Sequence, residues 1–120
     1  MIVLTVPLIP GKVSAWKAWA HQCVGPRKAE FEAFNRRMNL TAHRAWLSNG
    51  PRGPMAVVSH EGPGAKTFLA RLAPSEHPFD VWFRDHIAEY HGVDFTQPFE
   101  TPAPELVLDW HARAPEEVLV

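Results

Sequence analysis

The stretch HPFDVWFRDHIAEYHGVDF, His77 to Phe95, constrains the fold more than any other part of this chain. Wound at 100° per residue, Phe79, Trp82, Phe83, His86, Ile87 and Tyr90 share a stripe about 140° wide, while Asp80, Arg84, Asp85 and His91 fall off it. Pro78 suits a first helical turn and Gly92 the left-handed residue that ends a helix. An amphipathic helix of this kind requires an apolar sheet to cover. With 120 residues, 46% hydrophobic and including five Trp and seven Phe, the chain can build that core as a single domain.

The sheet is written in the flanking segments. Ile2, Leu4 and Val6 interleave with Val3 and Thr5, which predicts a strand apolar on nearly both faces and stopped by Pro7 and Pro10-Gly11. From Ser14, read as an N-cap, Trp16, Trp19, Ala20 and Cys23 share a helical face that continues through Phe31, Phe34 and Met38. This predicts one long helix kinked at Gly25-Pro26, or two helices on a common axis. Thr41 to Leu47 reads as a strand, residues 48–54 as a turn and Met55 to His60 as the hairpin partner. A short helix over Ala65 to Leu72 precedes the amphipathic one, and Leu106 to His111 reads as a last strand.

The order β-α-β-β-α-β predicts a ferredoxin-like α+β domain over residues 1–111, with a four-stranded antiparallel sheet and both helices on one face, and a tail over 112–120. Strands apolar on both sides then leave one face to be covered by a second subunit, which predicts a sheet-to-sheet homodimer.

Charge and motifs exclude several classes of function. A net charge of −1 without a Lys/Arg run offers no field for nucleic acid or an anionic membrane. The N-terminal MIVLTVPLIP is too short to span a bilayer and has no basic leader, so a cytoplasmic protein is expected. The single cysteine, Cys23, falls on a helix face expected to be buried and rules out a disulfide within the chain. Seven histidines are present, yet no HExxH, CxxC or paired Cys/His spacing occurs, and no metal site is expected.

The elements GPR (Gly25 to Arg27), WLSNGPRGPMAVV, HPFDVWF and HGVDF resemble those of an uncharacterised bacterial group within the dimeric α+β barrel superfamily, to which antibiotic-biosynthesis-type monooxygenases and EthD-like proteins also belong. The resemblance, over residues 1–111, implies the ferredoxin-like fold, the homodimer and a cavity between paired sheets. It carries no catalytic motif residue by residue. Haem-degrading members use an Asn on the first strand, and none stands there in this chain.

Strand parity supplies the candidate site. If Leu4, Leu108 and Trp110 face the helices, then Thr5, Asp109 and His111 face the inter-sheet space, with alternate Cα atoms about 7 Å apart. His60, and either His43 or Arg44, are candidates to join them. In that arrangement Asp109 and His111, with His60, are the candidates for proton transfer on a small hydrophobic molecule, as in a cofactor-independent oxygenase, cyclase or isomerase. Solvated strand-end residues are the alternative. Thr5, Arg27, His86 and Tyr90 are candidate binding residues. His86 is either a core histidine bonded to a carbonyl or a proton shuttle or haem ligand; Arg27 either turns to water or awaits a carboxylate. A non-catalytic carrier of a small ligand or haem, and a purely structural dimer, are the competing readings.

Overall fold

The computed structural model describes residues 1–97 and 105–112. It is an α+β structure with strand β1 (Ile2–Pro7), helices α1 (Val13–Val24) and α2 (Lys28–Arg37), strands β2 (Ala42–Gly50) and β3 (Gly53–Glu61), helix α3 (Phe68–Leu72) entered through a 3-10 turn at Ala65–Thr67, and helix α4 (Pro78–His91). The sheet is antiparallel in the order β1-β3-β2, so β3 fills the gap left between β1 and β2 by their helical crossover. That arrangement is compatible with a ferredoxin-like fold. Among the described residues the sheet has three strands; Glu105 to Ala112, where the last strand was expected, is exposed and has no regular secondary structure.

A tight turn at Pro51-Arg52 connects β2 to β3 and pairs Gly50 with Gly53, which extends β2 to Gly50 and starts β3 at Gly53, beyond the expected limits at Leu47 and Met55. The pairing sets the faces. Leu4 lies opposite Val58, Ile2 opposite His60 and His43 opposite His60, so Ile2, Leu4, Val6, His43, Ala45, Val58 and His60 share the face under the helices. Val3, Thr5 and Trp46 lie on the other face, which no described helix covers: Val3 is 37% exposed and Trp46 51%.

The first helical region is two helices rather than one kinked rod. Pro26 has no N–H to give, and the chain turns through Gly25 to Arg27, where the N–H of Arg27 bonds the carbonyl of Gln22 at 2.9 Å. Helix α1 begins one residue before Ser14, with Lys12 at the N-cap. The expected end of α4 holds: Gly92 has φ 69° and its N–H bonds the carbonyl of Ala88. The N-cap is His77, whose Nδ1 accepts from the N–H of Phe79 at 3.2 Å.

The core is aromatic. Phe34, wholly buried, lies 4.8 Å from the Phe83 ring centroid, 5.3 Å from Phe79 and 5.7 Å from Phe68. The buried ridge of α4 is Phe79, Phe83 and Tyr90; Trp82 and His86 flank it and meet Trp19 of α1 at 6.2 and 6.1 Å. Asp80, off the apolar stripe, is also buried because α2 brings a partner to it: Arg37 Nη2 lies 2.5 Å from Oδ1, and Ser75 Oγ donates to Oδ2 at 2.6 Å. Removing one side of such a pair strands a charge in the core, so the contact fixes the position of α2 against α4. No described helix is long and apolar enough to cross a membrane.

Candidate functional site

The gap between the sheet and the helices holds a cavity of about 120 Å³. Its floor is the covered face of the sheet, from Leu4 and Val6 through Val58 to Ala45; its roof is Trp16, Trp19 and Ala20 of α1 with Ile87 of α4. A cleft of about 470 Å³ beside β2 shares Trp16, Trp19, Ala20, His43 and Ala45 with it, so α1 overhangs two adjoining spaces. Cys23 lines that cleft, but burial pushes its thiol pKa up to about 12, which leaves it a small apolar group.

Three imidazoles stand in this apolar lining, His91 at the end of α4 and a facing pair on the sheet. His43 and His60 face each other across the β2/β3 pair, with Nε2 atoms 3.3 Å apart and ring centroids 4.5 Å apart. Phe68 packs on His60 at 4.3 Å, and Phe31, Phe68 and Phe83 surround His43 at 5.3, 5.5 and 5.9 Å. Asn35 of α2 reaches His43 from behind, its Oδ1 2.9 Å from Nδ1. Burial pushes the His43 pKa down to about 3, helped by the neighbouring His60, and that of His60 to about 4. Both rings are therefore neutral at pH 7.

The expected inter-sheet group does not assemble within one chain. Thr5 is exposed on the open face. His60 lies on the opposite face, because its register with Ile2 gives it the parity of Leu4 rather than of Thr5; this corrects its placement beside Thr5. Asp109 and His111 pair at 2.6 Å, but in the exposed 105–112 segment, with side chains 52% and 82% accessible. Arg27 neither turns freely to water nor is buried on a carboxylate: its guanidinium lies 4.2 Å over the Trp82 ring and 3.6 Å from Glu30 at the surface. His86 takes the carbonyl-bonded form, Nδ1 to the Trp82 carbonyl at 2.7 Å, and stacks on Trp19. Tyr90 is buried beside both, with ring centroids 5.9 Å from Trp19 and 5.8 Å from His86.

Asn35 and Phe68 were absent from the sequence-derived site, and His43 entered it only as an alternative to Arg44. A hairpin register would have found the histidine pair, since a two-residue turn at Pro51-Arg52 places residue 43 opposite residue 60. Nothing local to Asn35 or Phe68 marks them. Among the described residues no group of three or more His, Cys, Asp or Glu side chains is placed to hold a metal ion.

Comparison with protein-family models, with curated proteins and with solved structures finds no match. The chain is thus described by its own geometry: an α+β structure whose three-stranded antiparallel sheet carries helices on one face and an apolar, histidine-bearing cavity beneath them.

Proposed function

We propose that this protein binds a small hydrophobic molecule in the cavity between its sheet and helices. The observation that carries the reading is an apolar space of about 120 Å³ into which the fold has placed a neutral imidazole pair at the cost of desolvating both rings. Binding fits this site better than proton-transfer catalysis as an oxygenase, cyclase or isomerase. A ring whose pKa is driven to about 4 is a weak base at neutral pH, far from the poise that general-base catalysis favours. Toluene titrated into the labelled protein is expected to shift the methyl resonances of Leu4, Val58 and Ile87 saturably. Ala20→Leu, which extends a side chain from the roof into the space, is expected to abolish the shifts; their absence in the unaltered protein refutes the reading.

The same reading has the chain act in the cytoplasm as a homodimer paired through its open sheet face, with Leu106 to His111 supplying a fourth strand at the free edge of β1. Three things support it: the sheet face with Val3 and Trp46 that no described helix covers, an edge strand whose outer backbone groups have no strand partner among the described residues, and Leu106, Val107, Leu108 and Trp110 exposed at 74 to 86%. Sedimentation at micromolar concentration is expected to give a dimer, and Trp46→Glu a monomer. A monomeric unaltered protein ends the dimer proposal and leaves the cavity proposal standing.

A further inference from the structure

The hydrogen-bond chain from α2 assigns a role to each imidazole nitrogen at the cavity. A neutral imidazole has one donor and one acceptor nitrogen. Asn35 Oδ1 can only accept, so Nδ1 of His43 donates to it; Nε2 of His43 then accepts, and Nε2 of His60 donates across the 3.3 Å gap. What remains is Nδ1 of His60, a lone pair with no hydrogen-bond partner among the described residues, on a side chain 2% exposed that lines the cavity. Nδ1 is not among the fully buried atoms left without a partner, so it keeps a little accessible surface, and an acceptor in such apolar surroundings is poorly hydrated and gains from a donor. The lining does not supply one. His91 commits its Nδ1 to the Pro7 carbonyl at 2.9 Å, and Trp19 Nε1, a buried donor without a partner, does not reach His60.

We infer that the cavity takes a small apolar ring compound bearing one hydrogen-bond donor, an N–H or O–H, which it presents to Nδ1 of His60; this rests on the cavity being the binding site. The size agrees, since an engineered apolar cavity of about 150 Å³ holds benzene. Specificity follows from the chemistry. A donor that satisfies a buried lone pair gains what an isosteric group without a hydrogen loses, about tenfold in affinity or more.

Benzene, pyrrole and furan separate the two claims, because pyrrole and furan share a shape and differ in having N–H or ring oxygen. Followed by NMR on the labelled protein, benzene is expected to bind saturably and pyrrole about tenfold more tightly than furan. In His60→Phe the preference for pyrrole over furan is expected to vanish. If none of the three binds, the cavity reading fails and this inference with it. If benzene binds but furan equals or exceeds pyrrole, the donor assignment alone is overturned. A second measurement needs no variant: long-range proton–nitrogen spectra of the histidine rings are expected to show His60 protonated on Nε2, and a proton on Nδ1 overturns the inference.

Discussion

Phe34→Ala is expected to destabilise the protein by ~3 to 5 kcal/mol, the range for large aromatic side chains removed from cores. The ring is wholly buried and joins three elements, touching Phe68 of α3 and both Phe79 and Phe83 of α4 from its own helix α2. Its loss removes transfer free energy and leaves a void bounded by aromatic rings that are themselves pinned by neighbours, so collapse can recover little. Against a total stability of about 5 to 15 kcal/mol, that is a large fraction. Urea unfolding with an unchanged slope measures it. A loss under about 1 kcal/mol, typical of surface sites, means that α2 does not pack where the structure places it.

Stability is expected to fall by on the order of 3 to 5 kcal/mol between pH 6.5 and 4.5, through His43 and His60. Their pKa values are lowered on folding, to about 3 and about 4 from an unfolded value of 6.5. Below pH 6.5 the unfolded chain takes up protons that the folded chain refuses. The unfolded state then binds more protons, and stability drops with falling pH by about 1.4 kcal/mol per pH unit for each ring. The contribution is whole above pH 6.5, and its loss levels off once the folded rings protonate near pH 4 and 3. His91, lowered by burial against the pull of the Pro7 carbonyl, adds in the same direction. Denaturation midpoints at half-unit pH steps read the slope. His60→Phe, which keeps a ring in place without a titrating nitrogen, is expected to remove roughly half of the effect; a stability unchanged from pH 6.5 to 4.5 contradicts the burial of the pair.

The limits of α4 were legible because both rest on local chemistry. Pro78 in the first turn and Gly92 at φ 69° satisfy rules that act within a few residues. The face of β1 was legible too, since alternation in Ile2, Leu4 and Val6 is a property of the strand alone. The site was not. Thr5 and His60 were assigned to one side of the sheet from separate strands whose pairing had not been established, and a register error of one residue reverses every side chain of a strand. The Pro51-Arg52 turn is the feature that decides it. Read as a long loop over residues 48–54, it left the register open and His43 indistinguishable from Arg44; as a two-residue turn it places His43 opposite His60.

By itself, then, the sequence determined the succession of elements from β1 to α4, the amphipathic stripe and the ends of α4, because these depend on periodicity and on backbone preferences of single residues. Tertiary structure alone decided which polar groups are buried. Asp80 sits on the polar side of α4 and is nevertheless enclosed, because α2 delivers Arg37 to it from 43 residues away in sequence. His43 and His60 are neutral for the same kind of reason. Burial lowers both pKa values: Phe31, Phe68 and Phe83 pack around His43 and Phe68 packs on His60, brought over the sheet by α2, α3 and α4. Desolvation depends on everything within a few ångströms in space, and no local pattern in the chain encodes that neighbourhood.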